Sequence, residues 1–171
     1  GDLAAIMTLV GEAQRYIAHF GIDQWQDGYP QAELFVADMA AGSSYVFLEG
    51  DAVRATAALS LAHEADYDQT DSGGWVCSGP YAVIHRLALA DAARGTGLID
   101  EVFSVMEGLA AEAGRSCLRI DTHAGNLAMR AVLRRNGFCY RGEIRIYRGT
   151  PYEKPRVIYE KQLSSSVERG S

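Results

Sequence analysis

The residues best suited to chemistry lie in one stretch, Leu87-Ala88-Leu89-Ala90-Asp91-Ala92-Ala93-Arg94-Gly95-Thr96-Gly97-Leu98-Ile99. An apolar strand leads into a glycine-bearing loop, and the loop opens a helix. Such an order is suited to holding a phosphate, because the first amides of a helix lack partners inside it and the helix dipole makes that end positive. Gly95 and Gly97 let the backbone approach an anion where a side chain would obstruct. Taken alone, two glycines before a helix describe a tight turn equally well.

A dinucleotide fold is the first rival, since Asp121 ends the next strand as a ribose-binding acid would. The spacing speaks against it. GxGxxG needs glycine at position 100, where Asp100 would repel a pyrophosphate, and residues 91–95 intervene before the turn. No GxxxxGK[ST] segment occurs, so a P-loop is excluded. His19, His63, His85 and His123 show no HExxH spacing, and no metal site is indicated. Cys77, Cys117 and Cys139 are odd in number, far apart and without a CxxC pair, which predicts reduced, mostly buried thiols in a cytoplasm.

Elements must position these residues. Leu3, Ile6, Leu9, Val10, Ala13 and Ile17 recur at helical spacing up to Gly21, which predicts a first helix. A polar and aromatic stretch, residues 21–30, precedes a second helix over 31–41 with Leu34, Val36 and Met39 as apolar points. A hairpin follows over 44–49 and 53–62, turned at Gly50-Asp51. The acidic, glycine-bearing loop 63–80 is too long to be an idle connection. A strand over 81–90 then leads to a helix carrying Leu98, Val102, Val105, Met106, Leu109 and Ala113 on one face, ended by Gly114. A strand over 117–122, a helix from Asn126 to Asn136-Gly137, and strands over 138–147 and 157–163 about a turn between Pro151 and Pro155 complete the chain. This order predicts an α/β fold with a sheet of mixed direction.

The 171 residues suit one domain. The 48% hydrophobic and 22% charged composition is that of a globular protein. A net charge of -6 and a pI near 5.2 disfavour nucleic acid as a partner. No leader and no membrane-spanning apolar run is expected. Residues 164–171 read as a polar tail.

Two motifs in order now carry a resemblance. Arg94-Gly95-Thr96-Gly97-Leu98-Ile99 resembles the Arg/Gln-x-x-Gly-x-Gly/Ala pyrophosphate loop of the GNAT acetyltransferases, behind a strand similar to their LAL/IAV strand. Asn126-Leu127-Ala128-Met129-Arg130-Ala131-Val132-Leu133-Arg134-Arg135-Asn136-Gly137-Phe138 is similar to their N…Y-E-K-x-G-F segment at matching spacing. His85-Arg86-Leu87-Ala88-Leu89 and Asp121-Thr122-His123 resemble a bacterial branch, and the likeness runs from about residue 3 to 163. Three departures stand out: Ile99 replaces the last small residue of the loop, Leu133 stands where many members carry a tyrosine that protonates the thiolate, and the family's first strand would precede the first helix, where only Gly1-Asp2 stand.

The resemblance implies a GNAT-like domain over 1–163 with a mostly antiparallel central sheet flanked by helices, and acetyl-CoA as cosubstrate without a metal. Leu87, Ala88 and Leu89 would offer backbone groups to the pantetheine and thioester, residues 94–99 would hold the pyrophosphate, and Asn126 would contact CoA while capping its helix. Trp25, Gln26 and Tyr29 would border the acceptor, where rings could clasp an apolar or cationic group, or they pack locally. The base is open. Asp121 stands five residues before Asn126, where some members carry a glutamate, or it organises the turn by bonding its own backbone. Histidine is a residue type suited to a base, and His85 shares strand parity with Val83, Leu87 and Leu89, or it is a buried, hydrogen-bonded histidine. Tyr140, His123 or water could protonate a thiolate, whose pKa of roughly 8.5 makes it an easy leaving group. Asp66, Asp68 and Asp71 could draw in a cation, or are a solvated acidic loop.

The expected function is transfer of acetyl from acetyl-CoA to a primary amine, small molecule or peptide α-amine, by direct attack in a cytoplasmic enzyme, without nucleic acid or membrane, and with a homodimer compatible. The alternative is a weak or inactive CoA-binding sensor or interaction protein, motivated by Leu133 and Ile99; an NAD(P)-binding protein ranks third.

Overall fold

Apolar residues at helical spacing build α1 (Asp2–His19), and the chain continues through α2 (Ala32–Ala40), β1 (Ser44–Glu49), β2 (Ala52–Ser60), β3 (Ser72–Gly73) and β4 (Tyr81–Leu89). Then come α3 (Leu98–Glu112), β5 (Cys117–Thr122), α4 (Leu127–Arg135), β6 (Cys139–Ile146) and β7 (Lys154–Gln162), with 3-10 turns at Ala65–Tyr67 and Asp91–Ala93. This computed structural model describes residues 2–147 and 154–163. Pro151 and the tail 164–171 lie outside them, whereas Pro155 sits in β7.

The strands form a seven-stranded sheet in the order β1-β2-β4-β5-β7-β6-β3. β4 runs parallel to β5 with Tyr81 opposite Cys117 and Val83 opposite Arg119. The pairs β1–β2, β5–β7, β6–β7 and β3–β6 are antiparallel. Among the described residues the sheet is therefore mostly antiparallel and open, with four α-helices, which agrees with the mixed sheet expected from the element order and with the mostly antiparallel one that the resemblance implies.

The chain divides into two compact units, one comprising the chain up to Ser60 with Ile84–Met106, the other Leu61–Val83 with the chain from Glu107 on. In the first, α1 buries Ile6, Leu9, Val10, Ala13 and Ile17, the face read from the sequence. Each fully buried aliphatic side chain there contributes about 1.5–3 kcal/mol. On α2 the reading is corrected: Phe35 is the buried residue, clustered with Ile6 and Val10, while Val36 and Met39 are exposed. One residue turns a helix by about 100°, so with Phe35 inserted Val36 faces water. On α3 the buried residues include Val102, Phe103 and Met106, and Val105 is exposed instead.

In the second unit Tyr67, Val83, Ile144, Ile146 and Ile158 form the core, with Trp75 and Tyr81 packed on it. The loop 63–80 has structure of its own. Gly73 pairs with Gly142 across β3 and β6, and a Cβ on Gly73 would stand 1.9 Å from the Arg141 carbonyl oxygen. Only glycine fits so close an approach. The cysteine expectation is also corrected. Cys77 and Cys117 form a disulfide with Cα atoms 6.5 Å apart, and Cys139 is an exposed free thiol. Their separation of 40 residues hides the proximity that parallel pairing of Tyr81 with Cys117 creates.

Candidate functional site

The glycine loop belongs to the first unit and leaves the end of β4 through the 3-10 turn Asp91–Ala93. Gly95 and Gly97 have φ of 76° and 91°, and a Cβ on either would meet nothing within 4 Å. Their requirement is conformational, not steric. The Thr96 hydroxyl donates to the Ala93 carbonyl at 2.8 Å and accepts from the Leu98 amide at 3.4 Å. The Asp100 amide donates to the Gly97 carbonyl at 3.0 Å. Among the described residues, the amides of Gly95, Gly97 and Ile99 are left without an acceptor. These are the groups able to receive an anion at the positive end of α3.

The Arg94 side chain serves the loop itself. Its Nε donates to Asp91 Oδ1 at 3.1 Å, one Nη donates to the Leu89 carbonyl at 3.3 Å, and Cζ lies 3.8 Å from the Tyr16 ring centroid. One turn earlier on α1, Glu12 Oε2 accepts from the Asp91 amide at 2.6 Å. Two residues of one helix face thus hold the loop. With Asp100 and Glu101 in the first turn of α3, the groups suited to meet an anion there are backbone amides.

His85 is buried in β4, and the next residue, Arg86, has φ of 51°. A residue in the left-handed region interrupts the two-residue alternation of a strand, so the parity expected to join His85 with Leu87 and Leu89 does not carry past Arg86. Leu87 and Leu89 are half-buried and Ala88 is buried.

Of the expected acceptor residues, Trp25 is 9% exposed and packs in the core cluster with Leu9, Ala13, Ile17 and Ala88. Its ring therefore fixes the segment and leaves little surface for a ligand. Gln26 Nε2 donates to the Gln14 carbonyl at 3.0 Å, tying the segment to α1. Tyr29 is half-buried, its ring edge-on to Trp25 at 6.5 Å and its hydroxyl 3.5 Å from Arg86 Nη1.

The second unit holds Asp121 and Asn126. Asp121 Oδ1 accepts from the Tyr67 hydroxyl at 2.7 Å, and Arg156 Nε lies 3.8 Å from Oδ2. Its two oxygens thus face a hydroxyl and a guanidinium from distant segments. Asn126 caps α4, its Oδ1 accepting from the Met129 amide at 3.1 Å. Leu133 is fully buried, so no hydroxyl stands at that position. Tyr140 is half exposed, edge-on to Tyr159, and His123 Nδ1 accepts from the Gly125 amide. In the acidic loop, Asp68 pairs with His63 at 2.7 Å and Asp71 with Arg145 at 3.0 Å, which reduces any pull on an external cation.

Two arrangements escaped the sequence reading. The buried Glu160 accepts from the Val76 and Cys77 amides and pairs with Arg119, whose guanidinium lies between the Trp75 and Tyr81 rings. In the first unit, Arg86 pairs with Asp38 of α2. A charged residue inside each apolar strand was the available signal, since a buried charge requires a partner. Among the described residues, no helix is long and apolar enough to cross a membrane.

A mostly antiparallel α/β sheet with a strand, glycine loop and helix inside it defines the class. The chain belongs to the acetyltransferase (GNAT) family, whose model matches residues 10–138. It is 31% identical to a GNAT-family acetyltransferase of Streptococcus agalactiae 2603, with a TM-score of 0.82 over 96% of this chain and 91% of that one. The ribosomal-protein-S18-alanine N-acetyltransferase of Escherichia coli shares the fold at 15% identity and a TM-score of 0.59, covering 82% of each chain. A Salmonella typhimurium structure with its cofactor acetyl-CoA does so at 15% identity and 0.55, over 82% of this chain and 74% of that one. Family membership makes the protein an acyltransferase.

Proposed function

We propose that this protein transfers the acetyl group of acetyl-CoA to a primary amine. The observation that carries the reading is the loop at residues 94–99, where Gly95 and Gly97 adopt positive φ and three amides stand without acceptors at the start of α3. That cradle fits a pyrophosphate, and the Salmonella neighbour is a protein of this fold that holds acetyl-CoA. The amine class is supported by the fold shared with an alanine N-acetyltransferase.

Acetyl-CoA supplies an activated acyl thioester: the amine nitrogen forms the new bond to the acyl carbon, the bond to sulfur breaks, and one proton passes from nitrogen towards sulfur. The amides of Gly95, Gly97 and Ile99 hold the pyrophosphate. Backbone groups at Leu87, Ala88 and Leu89 orient the acyl arm. Tyr29 and Gln26 border the acceptor, with Trp25 fixing their segment. His85 is the residue we assign to receive the amine proton. Asp121 is the second candidate, its oxygens already engaged by Tyr67 and Arg156. Water returns a proton to the thiolate. The net charge of -6 leaves no role for nucleic acid in this proposal.

The buried Leu133 favours one alternative, a CoA-binding sensor with weak or no turnover, because it offers no hydroxyl to the leaving group. Calorimetric titration with acetyl-CoA, followed by a thiol-release assay over an amine panel, separates the two. Saturable binding with amine-dependent release, both lost in Gly97→Asp, supports the transferase. Binding without release across the panel supports the sensor, and no binding overturns both.

A further inference from the structure

Two non-glycine residues among the described ones have positive φ, Trp25 at 65° and Arg86 at 51°, and both belong to the first unit. Trp25 is held by core packing. Arg86 is not part of that cluster, and it sits inside β4, where an extended backbone is the default. A non-glycine residue persists in the left-handed region only where its surroundings over-determine it.

Those surroundings are a two-point ion pair. Arg86 Nε and Nη2 donate to the two carboxylate oxygens of Asp38, each at 2.6 Å. The side chains are 14% and 13% exposed, so water screens the pair weakly. Arg86 Nη1 also lies 3.5 Å from the Tyr29 hydroxyl. Burial works against the guanidinium charge, but the Asp38 hydrogen bonds and the Tyr29 hydroxyl outweigh it and hold Arg86 above the ordinary arginine range. A tie between α2 and the strand needs no special backbone, since arginine reaches a carboxylate from a regular strand position. Here the pair acts on the residue whose backbone departs from the strand.

We infer that Asp38 is a positioning residue: by clamping Arg86 it holds the left-handed turn in β4 and so sets the direction of the peptide groups at His85 and Leu87, on either side, for acyl transfer. The inference rests on the proposed transferase function. It also joins the Tyr29 segment to the strand through one guanidinium, so that β4 is set by the segment proposed to border the acceptor.

The test compares Asp38→Asn, Arg86→Lys and Arg86→Gly in the full chain. Glycine takes the left-handed conformation without the clamp, whereas lysine keeps the charge but loses the fork. Asp38→Asn and Arg86→Lys are expected to lower kcat about tenfold, as loss of a charge-assisted hydrogen bond does, with KM for acetyl-CoA changed less than about twofold because loop residues 94–99 are untouched. Arg86→Gly is expected to lose only a few-fold despite losing the whole pair. Equal losses in Arg86→Gly and Asp38→Asn, or a lowered Tm with kcat unchanged in Asp38→Asn, would overturn the inference. If the wild type itself releases no thiol, the functional reading has failed, and the clamp is read instead from the carbon chemical shifts of residue 86. A left-handed signature kept in Arg86→Gly and lost in Asp38→Asn upholds it; one kept in both sinks it.

Discussion

Arg94 Cζ lies 3.8 Å from the centroid of the Tyr16 ring, so a helix from the start of the chain holds the loop that ends β4. The arginine shapes the loop: its donors point back to Asp91 and the Leu89 carbonyl. A cation–π contact of this exposure is worth about 0.5–1 kcal/mol. Replacing Tyr16 with leucine should therefore weaken acetyl-CoA binding about two- to fivefold, while phenylalanine restores it. Titration calorimetry on the two variants measures this directly, and equal affinity in Tyr16→Leu and wild type would refute it.

Gly97 is strained for any residue with a side chain, although space is open around it. Gly97→Ala should cost about 1–2 kcal/mol, the ordinary penalty of the left-handed region. If the loop relaxes to avoid that cost, the loss appears in KM for acetyl-CoA, which should rise about tenfold with Tm nearly unchanged. If the loop stays rigid, Tm falls and KM does not. We expect the first outcome, because the loop is exposed at residues 95–97 and has little packing to resist a shift.

The two candidate bases separate by variant. His85→Gln should lower kcat about 100-fold or more with a smaller change in Tm. Asp121→Asn should act chiefly on stability, by about 1–3 kcal/mol, because it disturbs a buried hydrogen bond and ion pair. Tyr67→Phe should give a similar but smaller loss of Tm. A collapse of kcat in Asp121→Asn, with Tm intact, would transfer the base to Asp121.

The thiols make a simple chemical test. The native protein should react at Cys139 alone, with two further thiols appearing only after reduction. Closing a loop with a separation of 40 residues should stabilise by about 4 kcal/mol on the chain-entropy model, so reductant lowers Tm. Three thiols titrating without reductant would show that the pair is open in solution.

Much of the fold was legible because it is local. The α1 face, β1 with the turn at Gly50-Asp51 and the bounds of β5 follow from apolar periodicity and turn residues, which act over a few positions. The loop motif was legible for the same reason: positive φ at Gly95 and Gly97 is a local demand that glycine alone meets cheaply. Where the reading failed, a distant partner decided. Phe35 displaced Val36 and Met39 from the buried face of α2 because Ile6 and Val10 lie beside it. Cys77 met Cys117 because strand register placed it there.

The sequence by itself determined the element order, the α/β class and the glycine loop before α3, since these rest on spacing and backbone preference along the chain. Tertiary structure alone decided what each polar group does. Trp25 became core, Asp121 was claimed by Tyr67 and Arg156, and Arg86 was drawn into a left-handed turn by Asp38. The physical reason is range. A helix or turn is set by neighbours within a few residues, but the partner of a buried charge is chosen by whichever segment folding brings within about 3 Å of it.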